Sequence, residues 1–470
     1  MGAAPKQVTV SFDRTGVAII GGGPGGLAPL LSAHRSGRLA ELLSAGVTIV
    51  EQGHAIGAGT IGHWAINSDS TGFTFADCLA GPPNGELAAA REHETTKEMV
   101  AADQGTVPLH RAGEFLAMVG QALHEVVANA PRGRILRHFQ ALHTQRTPQG
   151  WATRLKDTKT GREHTLESNN VILATGASQP RERLVRETVA GVNLVERCGD
   201  RLVQSGDILS HAGFENLAQK LANLGRAPRV VIIGGSTSAA AVAFGLLNRM
   251  PEVPWGPASL TLMHRRELRI YYPTVELAKA DNYTEFGPDD ICPVSRRVFR
   301  LAGFRLDSRE LIMSARGLGG RPPEPRLQLH RLNVDNAASL AILDAADVII
   351  ACFGYRPRGL TVLDLEGNRV KLMSETSPQA PLVDGYCRVM DADGNVLPHL
   401  FGMGLAAGFV PHGKLGGEPS FRGQANGLWL WQSDVGGMIV DAVLAPRFDE
   451  DDPSALSQLD QVNATQEIEA

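Results

Sequence analysis

The chain is short of cysteine, with five in 470 residues: Cys78, Cys198, Cys292, Cys352 and Cys387. None falls in a Cys-x-x-Cys or Cys-x-x-x-x-Cys pair, which excludes a locally encoded redox disulfide and a zinc knuckle. Fourteen histidines are dispersed without the spacing of a metal site, so no metal is expected. Aromatic residues are only 5%, too few for a platform on which bases could stack. The net charge of −5 gives no electrostatic reason to expect nucleic acid or an anionic membrane. No apolar run approaches the roughly 20 residues of a bilayer span, and Met1–Lys6 carries no apolar signal core. These absences predict a soluble cytoplasmic protein with neither nucleic-acid nor membrane partners, long enough for two or three domains.

Glycine, by contrast, is plentiful and patterned. Val17-Ala-Ile-Ile-Gly-Gly-Gly-Pro-Gly-Gly26 reads as a buried strand running into a turn and a helix. Gly21, Gly23 and Gly26 have the G-x-G-x-x-G spacing: the first permits the tight turn, the second a close approach to pyrophosphate, the third close helix–strand packing. The next strand, Val47-Thr-Ile-Val-Glu51, ends in an acid placed to accept hydrogen bonds from ribose hydroxyls. A degenerate copy follows at Val230-Val-Ile-Ile-Gly-Gly-Ser-Thr-Ser-Ala239, with Gly234 kept and Ser236 and Ala239 at the other two glycine positions. There the following strand ends in His264-Arg265-Arg266. Guanidinium groups bind a 2′-phosphate that an acid would repel. One site therefore suits FAD and the other NADPH, with Ser236, Thr237, Arg265 and Arg266 on the second.

The alternation of strands and helices predicts an α/β fold with two Rossmann-like dinucleotide-binding domains, the NADPH domain inserted into the FAD domain. The expected division is 1–200 for the first part of the FAD domain and 201–350 for the NADPH domain. Residues 351–446 return to the FAD domain and end in a closing helix over 420–444, and 447–470 form a mobile acidic tail. Residues 53–108 show little period, and so long an irregular stretch inside a domain is usually functional. Helical spacing predicts helices over 111–127 and 214–224. One strand is expected over 135–142, pairing in an antiparallel ribbon with 151–156.

In this order of motifs the sequence resembles the class B flavin-dependent monooxygenases, and among them the amine N-hydroxylating branch of ornithine and lysine N-monooxygenases. The first fingerprint matches the FAD site of that family. Val171-Ile-Leu-Ala-Thr-Gly176 and Asp347–Pro357 are similar to its two strand ends at which the domains connect, although the second reads Ala-Cys-Phe-Gly-Tyr. Gly234–Ala239 is similar to its NADPH fingerprint, and Phe401-Gly-Met-Gly404 to its C-terminal flavin-contacting strand. Gly199-Asp-Arg-Leu-Val-Gln-Ser205 resembles the monooxygenase signature, with Gln204 where that signature has histidine.

The resemblance implies FAD and NADPH as cofactors, with Gly176, Ser205, Gly402 and Gly404 among the cofactor-binding residues. It implies oxygen transfer from a C4a-peroxyflavin to the nitrogen of a small-molecule amine, and O2 as co-substrate. Asn67, in Ile66-Asn-Ser-Asp-Ser-Thr-Gly-Phe-Thr-Phe-Ala-Asp77, becomes the catalytic residue that supports the oxygenated flavin. The amine pocket falls on 269–291 with Tyr271, Tyr272, Asn282 and Tyr283, and His63 beside it. Oxygenation of sulfur, oxygen insertion next to a carbonyl, and a flavin oxidase or dehydrogenase remain alternatives. A homo-oligomer is compatible with the sequence.

Overall fold

The computed structural model describes residues 10–377, 379–405 and 407–445. The expected acidic tail lies outside the described residues. The chain begins with β1 (Val10–Ile20), α1 (Pro24–Arg35), β2 (Val47–Glu51) and β3 (Asn67–Thr71). It continues through α2 (Leu109–Asn129), β4 (Gly133–Arg137), β5 (Phe139–Thr147), β6 (Gly150–Asp157) and β7 (Glu163–Leu173). Val17, Ala18 and Ile19 are fully buried, as a strand covered by helices on both faces requires. β1 lies parallel to β2 on one side and to β7 on the other, in the register Val17↔Val47 and Ala18↔Val171.

β5, β6 and the first half of β7 form the expected antiparallel ribbon. The strand expected over 135–142 is two strands. Ile135 sits in β4, parallel to β2, and His138 in the left-handed region (φ 65°) separates it from β5. α2 extends the helix expected over 111–127 and buries Phe115, Leu116, Val119, Leu123 and Val127, the positions its period marks.

A second, wholly parallel sheet is built from β8 (Leu202–Gln204), β9 (Val230–Ile233), β10 (Leu260–His264), β11 (Leu327–Arg331) and β12 (Val348–Ala351), in the order β8-β12-β9-β10-β11. The helix predicted around 214–224 spans His211–Ala222. α3 (Thr237–Arg249) follows β9, and α4 (Leu306–Arg316) precedes β11. Each sheet has its own apolar core.

The chain then returns to the first sheet at Thr361–Leu363, parallel to β5, adds β13 (Val396–Gly402), parallel to the end of β7, and finishes the described part in α5 (Gly436–Leu444). Where the chain passes between the sheets, Ala177–Ser178 and Arg356–Pro357 pair as a short antiparallel ribbon. The fold is therefore one Rossmann-like unit inserted into another.

The closing helix is shorter than expected. Residues 416–427 are irregular, and helix begins only at Leu428, passing through a π-helical turn at Trp431–Val435 into α5. Gly423 and Gly427 lie in the part that the periodicity had assigned to helix, and both weaken it. Among the described residues, no helix is long and apolar enough to cross a membrane, and no three His, Cys, Asp or Glu side chains are grouped to hold a metal.

Candidate functional site

The first fingerprint has the steric properties that its spacing implies. Gly21 has φ 110°, and a Cβ there would lie 2.2 Å from the Ala174 carbonyl oxygen. A Cβ on Gly26 would lie 1.8 Å from the Gly21 carbonyl oxygen, so α1 crosses β1 in contact with its backbone. A Cβ on Gly23 would meet nothing nearer than 3.6 Å, which leaves room in front of the N-terminus of α1 for a phosphate. Glu51 accepts hydrogen bonds from the Gly22 and Gly53 amides, at 2.8 and 2.5 Å, and closes the end of β2. Gly404 (φ 99°) faces Gly25 across the start of α1. Gly402 serves packing instead, since a Cβ there would run into Val383. These residues fit the pyrophosphate and ribose of FAD.

The second fingerprint opens on a cleft of about 2220 Å³ lined by Gly235, Ser236, Thr237, Ser238 and Arg266, among others. Ser236 is the N-cap of α3, and its hydroxyl makes no capping bond. The two arginines that end β10 part company. Arg266 lines the cleft, whereas Arg265 turns away and donates to the Glu187 carboxylate and the Thr188 carbonyl, each at 2.7 Å. His264 is buried, with Nδ1 against the Arg266 carbonyl oxygen, and burial holds its pKa below the usual histidine range.

Of the two arginines, Arg266 is the one on the cleft wall beside the second fingerprint. Arg266→Ala is expected to raise KM for NADPH by roughly 10- to 100-fold, the loss of one or two charge-assisted hydrogen bonds, while KM for NADH stays put. Arg265→Ala should change both alike. Steady-state kinetics with the two nucleotides decides this, and an equal effect of Arg266→Ala on both would place the phosphate elsewhere.

Gly176 (φ 72°) and Ser205 belong to the hinge. The Gly176 carbonyl accepts from the Arg358 amide. Ser205 is fully buried and its hydroxyl oxygen accepts from Gln179 at 2.7 Å.

The cleft is electrostatically unlike the rest of the chain. Ten arginines and lysines line it against six carboxylates, in a protein of net charge −5. Arg266, Arg269, Arg297, Arg300 and Arg305 have no carboxylate within ion-pair distance among the described residues. Arg269 stacks on Phe299 and Arg305 on Tyr271. Facing this basic wall, β3 brings Asp69 to the cleft, and the start of α4 brings Asp307. Asn67 donates from Nδ2 to Asp307 Oδ2 at 2.7 Å. Asn67, Asp69, Thr237, Ser238 and Asp307 also share a side pocket of about 150 Å³ beneath the cleft.

The residues proposed for the amine pocket separate. Tyr271 lines the cleft. Tyr272 reaches the cleft wall as well but is almost wholly buried, and Tyr283 is core: the two rings stack at 5.5 Å, and the Tyr272 hydroxyl donates to Met313 Sδ. Asn282 is a turn residue with φ 59° and does not line the cleft, and neither does His63, which is exposed in a short turn. The aromatic concentration over 271–286 is explained by a stacked cluster that includes Phe286 and Phe299. Asp69 lies in the segment that carries Asn67 but drew no role of its own, and Asp307, 238 residues further on, belongs to no motif.

One rim of the cleft is a seam between the two units. Glu418, buried, accepts from the Leu301 and Ala302 amides at 2.8–3.0 Å. Beside it Cys292 Sγ accepts from the amides of Ser295 and Gly417 and from Arg300. Burial opposes the Cys292 thiolate, but these donors outweigh it and bring the thiol down to about 6. All five cysteines are buried and unpaired.

The family pattern described as pyridine nucleotide-disulphide oxidoreductase matches residues 15–268. A CMP-5'-(3-aminopropyl)phosphonate hydroxylase from Streptomyces rubellomurinus is 31% identical over 440 residues, covering 92% of this chain and 98% of that protein. In structure the chain is similar to a cadaverine monooxygenase of desferrioxamine biosynthesis from Erwinia amylovora (TM-score 0.54, 11% identity, 94% and 98% of the two chains). It is similar as well to an ornithine hydroxylase from Pseudomonas aeruginosa (TM-score 0.51, 12% identity, 92% and 99%). The chain belongs to the pyridine nucleotide-disulphide oxidoreductase family and, within it, to the amine N-hydroxylating branch of the flavin-dependent monooxygenases.

Proposed function

We propose that this enzyme hydroxylates the amine nitrogen of a small anionic metabolite, of the aminoalkyl phosphonate class or its nucleotide ester, in the cleft between the NADPH fingerprint and β3. FAD and NADPH are its cofactors. Bound FAD, reduced by NADPH, supplies the activation of O2. The chain's own residues hold the nucleotides and the substrate. Gly21, Gly23, Gly26 and Glu51 take the FAD pyrophosphate and ribose; Ser236, Thr237 and Arg266 take NADPH. Asn67 acts through its hydrogen bond to Asp307.

The observation that carries the substrate class is the polarity of the cleft. An acidic pair at β3 and α4 shares the cleft with arginines that form no ion pair among the described residues. A molecule with an ammonium at one end and a phosphonate at the other matches both, and Arg269, Arg297 and Arg305 are placed to receive the anion. A neutral sulfide or ketone uses neither feature, which separates this reading from the sulfur- and carbonyl-directed alternatives. The hydroxylase relative, which acts on an aminopropylphosphonate joined to a nucleotide, supports the same class.

The test supplies purified holoenzyme with NADPH and O2 and compares CMP-5'-(3-aminopropyl)phosphonate, 3-aminopropylphosphonate and cadaverine. The phosphonates are expected to couple NADPH consumption to a product carrying one added oxygen. Equal coupling with cadaverine would remove the anionic requirement. NADPH consumption ending only in hydrogen peroxide, with no oxygenated product from any amine, would overturn the N-hydroxylase assignment.

A further inference from the structure

An amine in water near neutral pH is an ammonium ion, with no lone pair to offer an electrophilic oxygen. Lysine-like amines lose their proton only around pH 10. An N-hydroxylase therefore needs a proton acceptor at the nitrogen, and nothing in either nucleotide fingerprint provides one.

The carboxylates on the cleft wall differ in how they are engaged. Glu267, Asp281 and Glu310 are ion-paired with arginines. Asp307 accepts the Asn67 amide. Asp69 and Asp434 accept no hydrogen bond from any described residue; of the two, Asp69 lines the side pocket as well as the cleft, and it shares that pocket with Thr237 and Ser238 at the start of α3. β3 holds it there by pairing with Thr106–Pro108.

We propose that the Asp69 carboxylate takes the proton from the substrate's ammonium group while Asp307, fixed by Asn67, holds the cation beside it. This rests on the amine N-hydroxylase reading above. The step converts R–NH3+ and a carboxylate into R–NH2 and a carboxyl group. The nitrogen lone pair then forms the N–O bond with one atom of O2, and the other atom leaves as water. NADPH supplies the two electrons. In sum, R–NH3+, O2 and NADPH give R–NHOH, H2O and NADP+, so the proton lodged on Asp69 is the one that the departing water requires. Asp69 is thereby a catalytic residue and Asn67 a positioning residue acting through Asp307.

The surroundings tune Asp69 for this task. Crowding by the cleft walls pushes its pKa up to about 7; Arg305 works against the rise and Asp307 adds to it. Arg305 and Asp307 are the charged groups that bear on it. The paired strand Thr106–Pro108 and the helix Gly72–Ala76 contain no charged residue. On α2, Arg111 is ion-paired with Glu98 and Glu114. A carboxyl whose pKa is raised is a better acceptor for the ammonium proton than an ordinary aspartate. The sign follows: below pH 7 Asp69 carries a proton and cannot accept another, and above it the acceptor is available.

The experiment is the pH dependence of kcat/KM for 3-aminopropylphosphonate in the holoenzyme and in Asp69→Asn and Asp69→Glu. The wild type is expected to rise through an apparent pKa near 7. Asp69→Asn should lose roughly 10²- to 10³-fold at pH 7.5 and recover only towards pH 10, where the amine deprotonates itself. Asp69→Glu should restore part of the rate and the lower limb. The flavin-to-protein absorbance ratio and the thermal unfolding temperature of each variant, matched to wild type, report an intact fold.

Calorimetry of 3-aminopropylphosphonate binding without NADPH, in buffers of different ionisation enthalpy, reads the proton directly. Binding at pH 7 should change protonation in the wild type and not in Asp69→Asn. If the wild type hydroxylates the amine while Asp69→Asn keeps its rate and its pH profile, this assignment falls and the N-hydroxylase reading stands. If the wild type yields no hydroxylated amine, both fall.

Discussion

Gly26→Ala is expected to emerge from purification without flavin and with a lowered unfolding temperature even as apoprotein. The methyl group would be built 1.8 Å from the Gly21 carbonyl oxygen and 3.3 Å from Ile19 Cγ2. The first of these is backbone, so no rotamer change relieves it. α1 must move off β1. That displaces the amide groups at the N-terminus of α1 that a dinucleotide pyrophosphate requires, and overpacking of this kind costs about 1–3 kcal/mol or more in stability.

Gly23→Ala is the informative companion. Its Cβ would meet no protein atom nearer than 3.6 Å, so the apoprotein should unfold at the wild-type temperature. The methyl group would still occupy the space through which the phosphates approach, and FAD affinity should fall by 10-fold or more. The flavin-to-protein absorbance ratio and apoprotein thermal scans separate the two. If Gly26→Ala bound FAD as the wild type does, the cofactor would have to sit away from this helix end.

The legibility of the chain follows the range of the interactions involved. β1, α1 and β2 were readable because the whole argument, strand, turn, helix and terminal acid, lies within Val17–Glu51, and the structure gives Gly21 and Gly26 the steric roles that spacing assigns, while Glu51 accepts from the Gly22 and Gly53 amides. The doubled fingerprint likewise announced an inserted second unit. Side-chain direction was not readable. Arg265 and Arg266 are equivalent in sequence, yet in the bend just past β10 one turns to Glu187 and the other to the cleft.

Tyr272 and Tyr283 show the same limit. A tyrosine-rich stretch after a basic strand suits a ligand pocket or a stacked core equally, and only the fold decides. β3 lies within the irregular residues 53–108 that the sequence singles out. The partner of β3, Asp307, comes from a helix whose sequence carries no motif. The cleft's polarity is a tertiary property that no local window contains.

Glu418→Ala is expected to loosen the seam that joins the two units at the cleft rim. The side chain is buried with 3% exposure, and its two oxygens accept three contacts from the Leu301 and Ala302 amides. Around it Ser420 bonds to Asp289 and Asp290, and Arg300 donates to the Leu415 carbonyl. Removing the carboxylate leaves two amides unsatisfied, and hydrogen bonds to a charged acceptor contribute more than neutral ones. The loss should be roughly 2–4 kcal/mol at this seam.

Because Leu301 and Ala302 are backbone donors, the effect can be read where it occurs. Their amide hydrogens should exchange on the order of 10²-fold faster in Glu418→Ala, while amides of the buried strand β9 keep their protection. Glu418→Gln retains one accepting oxygen and should fall between the two. KM for the amine should rise with the exchange rate, since Arg300 and Arg305 flank these amides and line the cleft. Unchanged exchange at Leu301 and Ala302 would show that the rim is held by its other contacts, with Cys292 and Arg300 as the groups to replace next.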